Sequence, residues 1–262
     1  MRSALSRLEF DLCWDHLKLG EYPTILSIPS HGATLDERRA LFDGAWRALA
    51  ARGLVERGAL DARLAGWLEL LARPDREVDA RLRPTDGPRT RAVAAARRGR
   101  AVLAVLAVLT AENLVLEPIH ETMLADAVVS LLPPHQAPRS RSISLPAADL
   151  ERAAAAAGES ASRLEVALRD TGLPRPDAQK VASVLGGVVR MGQFGTAVRP
   201  ARNGVPGSRR RGAYAVSFYD TAEGRWQFTR RPSGDGREWS TLSPADHGRL
   251  VHAVSELLAA TG

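Results

Sequence analysis

In "FYDTAEGRWQF", residues 218–228, Asp220 and Thr221 stand shortly before a glycine in a run of aromatic side chains. Asp-Thr-Gly is how several carboxylate-dependent hydrolases present an acid at a tight turn. That chemistry needs the glycine directly after the threonine. It also needs a second carboxylate across a cleft, so that the two acids titrate apart. Here Ala222 and Glu223 intervene, and the flanking segments alternate as strands do. The residues therefore read as a hairpin, with Gly224 supplying positive φ and Asp220 accepting hydrogen bonds from turn amides.

The other candidates fail on spacing. Gly187 and Gly192 are separated like the glycines of a phosphate-binding loop, but Gln193-Phe194 replaces the Lys-Ser/Thr that would reach phosphate and metal. "GESAS" around Ser160 lacks the second glycine of a nucleophile elbow. "HETML" at His120 begins like a zinc-protease motif, but Leu124 stands where the second histidine belongs. His247 and His252 are five apart, which puts them on different faces of a helix. With Cys13 the single cysteine, there is no disulfide framework and no cysteine-based zinc site. The sequence thus points to no catalytic residue, no cofactor and no metal.

The 262 residues carry a formal net charge of +6, with only Lys18 and Lys180 as lysines and the remaining positive charge arginine. A basic balance suggests an anionic partner, but no aromatic residues interleave a basic stripe as they do in single-strand binders. The segment "MRSALSRLEFDLCW" has charges where a secretory signal needs its apolar stretch, and "AVLAVLAVL" is too short to span a bilayer. A soluble, cytoplasmic chain is expected, with no membrane insertion and no nucleic-acid partner.

Elements follow from period and punctuation. Thr34 and Glu37 form a capping box before a helix carrying Leu35, Ala45, Trp46 and Leu49, which Gly53 stops. A second helix covers about 61–71. "REVDARLR" alternates as a half-buried strand, "TRAVAAARRGRAVLAVLAVLTAENLVLEPI" reads as further strands with a break near Arg98-Gly99, and "HETMLADAVVSLLPP" as a helix. The second half repeats the grammar: helices to Gly172 and over "PDAQKVASVLGGVV", strands in "GQFGTAVRP", "AYAVSFYD", "RWQFTRR" and "REWSTL", then a helix capped by Ser243. Gly53-Leu54 answers Gly172-Leu173. The fold class expected is α+β: one mostly antiparallel sheet shared by two pseudo-repeat halves, about 8–137 and 143–260, within a single domain spanning 1–262. "HQAPRSRS" and "RNGVPGSRRRG" are the expected mobile stretches.

Taken in order, "EFDLCWDHLKLGEYP", "HGATLDERRALF", "LARPDREVDARL", "ENLVLEPI", "LLPPH", "SISLPAADL", "GQFG", "YDTAEGRW" and "REWSTLSP" resemble the EspG family of actinobacterial type VII (ESX) secretion. The resemblance runs from about Leu8 to Leu258. It implies a central antiparallel sheet with two helical bundles, and a cytoplasmic chaperone, not an enzyme. Such a chaperone binds the PPE subunit of a PE–PPE heterodimer and keeps the pair soluble. The family's binding region corresponds here to the loop with Arg83, Thr85, Asp86 and Arg89, and to helices carrying Leu164, Leu168, Val181, Leu185 and Val189. Which pair is bound, and whether the chain is a homodimer, are left open. The alternative reading is a basic nucleic-acid-binding or regulatory protein using the loop with Arg202 and Arg209 to Arg211.

Overall fold

The structure, a computed structural model, describes residues 2–84, 88–97, 103–202, 205–234 and 236–262. The first half runs β1 (Ser3–Ser6), α1 (Arg7–His16), α2 (Leu35–Ala51), β2 (Val55–Glu56), β3 (Ala59–Leu60) and α3 (Ala62–Ala72). It continues with β4 (Arg76–Pro84), β5 (Thr90–Arg97), β6 (Leu103–Leu109), β7 (Asn113–Pro118) and α4 (Leu124–Val129). The second half runs β8 (Ile143–Pro146), α5 (Ala147–Ala157), α6 (Ala161–Asp170), α7 (Arg175–Gly186) and β9 (Arg190–Val198). Three short strands follow, β10 (Ala201–Arg202), β11 (Val205–Pro206) and β12 (Arg210–Arg211). The chain ends with β13 (Val216–Thr221), β14 (Gly224–Pro232), β15 (Glu238–Pro244) and α8 (His247–Thr261).

Ten strands lie in the order β1-β7-β6-β5-β4-β9-β13-β14-β15-β8, with β12 added beside β9. Every pairing is antiparallel. With the short strands β2, β3 and β10–β12 set aside, each half runs a strand, three helices, four strands and a helix. The β4–β9 seam is long, with Arg76 opposite Val198 and Pro84 opposite Arg190.

Helix ends obey local rules. Ser6 Oγ accepts from the Glu9 amide at 3.2 Å while the Ser6 amide donates to Glu9 Oε2 at 2.7 Å, a complete capping box. Thr34 caps α2 through the Glu37 amide at 3.2 Å, but Glu37 Oε2 accepts from Ala33 at 2.8 Å, one residue upstream of the reciprocal partner expected. Gly53 and Gly172 both have positive φ, 69° and 91°. After each, a leucine amide reaches back to a leucine carbonyl, Leu54 to Leu49 at 3.0 Å and Leu173 to Leu168 at 3.3 Å. These are Schellman closures, so the repeated Gly-Leu is a repeated helix stop.

Strand alternation divides the core. α4 and α8 cover one face of the sheet centre, packing Leu124, Val128, Leu250 and Val254 on Val78, Ala80, Phe194 and Phe218. The opposite face is covered at its two ends. α1–α3 pack Phe10, Leu49, Leu64 and Leu68 against Val93, Val105 and Leu116. α5–α7 pack Leu164, Leu168 and Val181 with Ile143, Trp226 and Leu242. Between the two bundles a strip of β4 and β9 is left, and its odd-numbered β4 positions are Glu77, Asp79, Arg81 and Arg83.

Several expectations are corrected. Leu35 does not join the core and is 81% exposed. β1 and β8 are four-residue segments, too short for their period to announce an element. The helical run before Gly172 is two helices, broken at Gly158 with φ 59°. Ser243 is still in β15; Asp246 caps α8, accepting from Arg249 N at 2.8 Å. The "HQAPRSRS" segment is tied down: His135 contacts the Thr221 carbonyl at 3.0 Å, and the Gln136 carbonyl accepts from the Arg225 amide at 2.8 Å. The expected break at Arg98-Gly99 lies outside the described residues.

Candidate functional site

Asp220 lies on the same face of β13 as Val216 and Phe218, so its carboxylate enters the core and is fully buried. Register places it directly between Arg190 on β9 and Arg225 on β14. Arg225 grips it bidentately, Nε to Oδ1 at 2.6 Å and Nη2 to Oδ2 at 3.0 Å, and Arg190 donates to Oδ2 at 2.7 Å. Arg225, only 1% exposed, also donates to the Pro133 carbonyl at 3.0 Å and lies over the Phe218 ring. The expectation of turn amides as partners is thus corrected: the turn beyond is closed by Thr221, whose hydroxyl donates to the Gly224 carbonyl at 3.0 Å. A fully buried carboxylate paired with two guanidiniums is closed off from a substrate.

The remaining chemistry-bearing side chains are likewise engaged locally. Ser160 caps α6, accepting from Arg163 N. A literal Asp-Thr-Gly triplet that the sequence reading passes over, Asp170-Thr171-Gly172, is the end of that helix, with the Thr171 hydroxyl on the Leu168 carbonyl at 2.7 Å. His31 meets Asp11, His120 meets Thr122 and His247 meets Asp126. His16 stacks on Trp46. Burial pushes the Cys13 thiol up to about 12, which leaves it protonated and unreactive. Among the described residues no group of three or more His, Cys, Asp or Glu could hold a metal.

The strip between the bundles carries the molecule's clearest surface asymmetry. At one end of β4, Glu77 and Asp79 are buried and each meets an arginine from the loop before β13. Arg211 grips Asp79 bidentately, at 2.6 and 3.0 Å, and Arg209 reaches Glu77. Burial pushes the Glu77 carboxyl up while Arg209 opposes it. A Cβ at Gly195 would push the Arg211 guanidinium off Asp79. Arg210 donates to the Thr261 carbonyl at 2.7 Å. The triple-arginine loop that the sequence offered to a polyanion is therefore spent on the chain's own acids and helix end; the Arg202 side chain lies outside the described residues.

At the other end of β4 the signs are not balanced. Arg81, Arg83, Arg89 and Arg91 line a groove of about 750 Å³ together with Arg7, Leu82, Met191 and Gln193, and no acid among the described residues lines it. Burial, with Arg7 and Arg81 nearby, lowers the pKa of Arg91, the expected result of crowding cations. Arg91 donates to the Ser27 carbonyl and Arg7 to the Thr110 carbonyl, both neutral acceptors. Met191 is 40% exposed in the groove and Val189, just before it, 44%.

Of the residues the sequence singled out, the fold brings Arg83 and Arg89 together in this groove. Thr85 and Asp86 lie outside the described residues. Leu164, Leu168 and Val181 are buried in the core of the α5–α7 bundle, and Leu185 is half-buried against it. Their role is to hold the bundle; Val166 on α6 and Val189 are the exposed apolar side chains there. Arg81, Arg91, Arg7 and Met191 were not picked from the sequence. Only β4–β9 and β4–β5 register brings them together: Arg81 stands opposite both Arg91 and Gln193, and Arg83 opposite Met191.

The EspG family matches residues 6–256. The chain belongs to the EspG family. No curated protein matches the sequence. Among solved structures, the Mycobacterium tuberculosis type VII secretion system chaperone EspG5, in complex with a PE25–PPE41 dimer, is similar. The likeness covers 100% of this chain and 96% of that one, with a TM-score of 0.75 and 15% sequence identity. At that identity the likeness is one of fold. It fits an EspG chain built on one large antiparallel sheet with helices on both faces. Among the described residues no helix is long and apolar enough to cross a membrane.

Proposed function

We propose that this EspG-family chain is a non-enzymatic cytoplasmic chaperone that binds the PPE subunit of a PE–PPE heterodimer and keeps the pair soluble for type VII secretion. The observation that carries the proposal is the family match over 6–256, joined to a whole-chain fold likeness with a chaperone whose structure holds a PE–PPE dimer. The chemistry agrees: Asp220, Ser160, Cys13 and the histidines all have structural occupations, which leaves surfaces as the means of action. The binding region proposed is the β4–β5 end of the sheet with Arg83, Thr85, Asp86 and Arg89, continued onto the α6–α7 side through Val189. Leu164, Leu168, Val181 and Leu185 serve it by fixing the bundle's shape.

Co-expression with a PE–PPE pair encoded in the same genome tests this. The expected result is a soluble ternary complex that co-elutes in size-exclusion chromatography. A pair that stays insoluble, or that is soluble and elutes apart from the chain, would sink the proposal.

A further inference from the structure

The groove at the β4–β5 end concentrates charge of one sign, with no acid among the described residues to answer it. Arg81 and Arg83 are exposed, alternate on one face of β4, and make no ion pair or hydrogen bond among the described residues; Arg89 is the same. Their neighbours across the strands are Arg91 and Met191 rather than acids. The charged clusters at the sealed end of the sheet are paired. On the same strand and the same face, Glu77 and Asp79 receive Arg209 and Arg211, and Asp220 takes two arginines. Like charges crowded on a β-sheet face are destabilising when left alone, so a fold that pairs those clusters carries this one at a cost. Guanidinium groups held on adjacent strands form a row of planar forks, the geometry that matches carboxylates two oxygens at a time. The half-exposed Met191 gives the groove an apolar spot beside the charge.

We infer that this groove selects its protein partner by acidity: it takes a segment carrying two or more carboxylates beside an apolar residue, which sits on Met191. This rests on the chaperone reading, in which the segment belongs to the PPE subunit. It adds the chemical class of tip that this chain accepts and the class it refuses. A basic or neutral tip would leave the arginines facing like charge or stripped of water, and rejection by desolvated charge is how closely related surfaces are kept apart. Charge steering would also make association fast at low salt.

The test uses the whole chain, wild type and Arg81→Gln/Arg83→Gln, with Arg39→Gln/Arg152→Gln as a control whose charges lie elsewhere on exposed helix surface. The probes are an amphipathic peptide with glutamates beside leucines, its glutamine counterpart, inorganic phosphate, a DNA duplex, and a PE–PPE pair from the same genome. The acidic peptide is expected to bind wild type and control alike. The glutamine counterpart and the groove variant should each lose about tenfold in affinity, and raised salt should weaken binding by a similar factor. Equal binding of the two peptides, equal binding by wild type and groove variant, or no peptide binding overturns the inference. So does a DNA duplex or phosphate bound more tightly than the peptide through the same arginines, since the occupant is then a phosphate-bearing ligand. The PE–PPE arm separates the two readings. A pair ignored by a chain that binds the acidic peptide through its groove removes the chaperone reading and keeps the groove. A pair bound equally by wild type and groove variant removes the groove's role and keeps the chaperone.

Discussion

Two sets of arginines lie on this sheet. Arg190, Arg209, Arg211 and Arg225 each meet a buried carboxylate; Arg7, Arg81, Arg83, Arg89 and Arg91 meet none among the described residues. Composition cannot tell them apart, and the alternative reading, a polyanion partner, rested on the loop whose arginines are already engaged. Arg209 to Arg211 are consecutive and conspicuous, but they close the molecule. The arginines left over come from α1 and three strand positions plus one loop, and only strand register collects them. The lesson is that net charge measures the whole chain, whereas a partner meets only what the chain has not used.

The comparison breaks hardest at the sealed end. Asp220→Asn keeps the shape but leaves Arg225, buried to 1% exposure, without its counterion. Removing one member of a buried pair strands the other, which costs about 3–5 kcal/mol. The sequence-level view of Asp220 as a turn acid implies the smaller loss of a capping side chain, about 0.5–2 kcal/mol. Urea denaturation separates the two: a loss below about 1 kcal/mol would mean the triad is not formed as described.

One step out, Arg211→Gln strands Asp79, whose side chain is 4% exposed, although Arg211 itself is 43% exposed and partly hydrated in either case. The expected loss is about 1–3 kcal/mol, smaller than at Asp220 because one partner of this pair reaches water. A loss as large as that of Asp220→Asn would show that water at Arg211 does not soften the cost of stranding Asp79.

A third charge, Asp11, sharpens the rule by pH. Burial would raise its pKa, but Arg38 at 3.0 and 3.1 Å, the His31 amide and the Tyr22 hydroxyl outweigh that and hold it at about 2, against an ordinary 3.8. A carboxylate with a lowered folded pKa stabilises fully above its unfolded value and loses that contribution as pH falls through the folded one. Stability should therefore decline between about pH 4 and 2, and Asp11→Asn should flatten that limb while lowering stability at neutral pH. Wild type and variant losing stability in parallel over that window would assign the decline to other groups.

How much of this was legible depended on range. Local signals carried well: Thr34 as a cap, Gly53 and Gly172 as stops, and the Val78-Ala80-Leu82 alternation are all decided within a few residues. The antiparallel sheet with helical cover followed from the repeat of that grammar. What failed needed distant partners. Ser3–Ser6 and Ile143–Pro146 are four-residue strands at the outer positions of the sheet, strands only because β7 and β15 pair with them. Leu164, Leu168 and Val181 could be placed on helices, but which face a helix turns inward is set by what packs on it. The groove was half legible: the loop gave Arg83 and Arg89, while Arg81 and Arg91 become neighbours only through pairing of β4 with β5.

At the open end the expected effect on stability is the smallest, and its smallness is the point. Arg81 and Arg83 are exposed and hold no partner among the described residues, so Arg81→Gln/Arg83→Gln should change stability by no more than about 0.5 kcal/mol. The direction should be toward gain, because removing two of the cations crowded on one sheet face relieves repulsion that Arg91 also feels. The gain should be larger at low salt and fade as salt screens the cluster. A denaturation midpoint that falls instead would mean these arginines do structural work like Arg211, and the contrast between the two ends of β4 would collapse. A midpoint that holds or rises, together with lost binding of an acidic segment, is the signature of charge kept for something outside the chain.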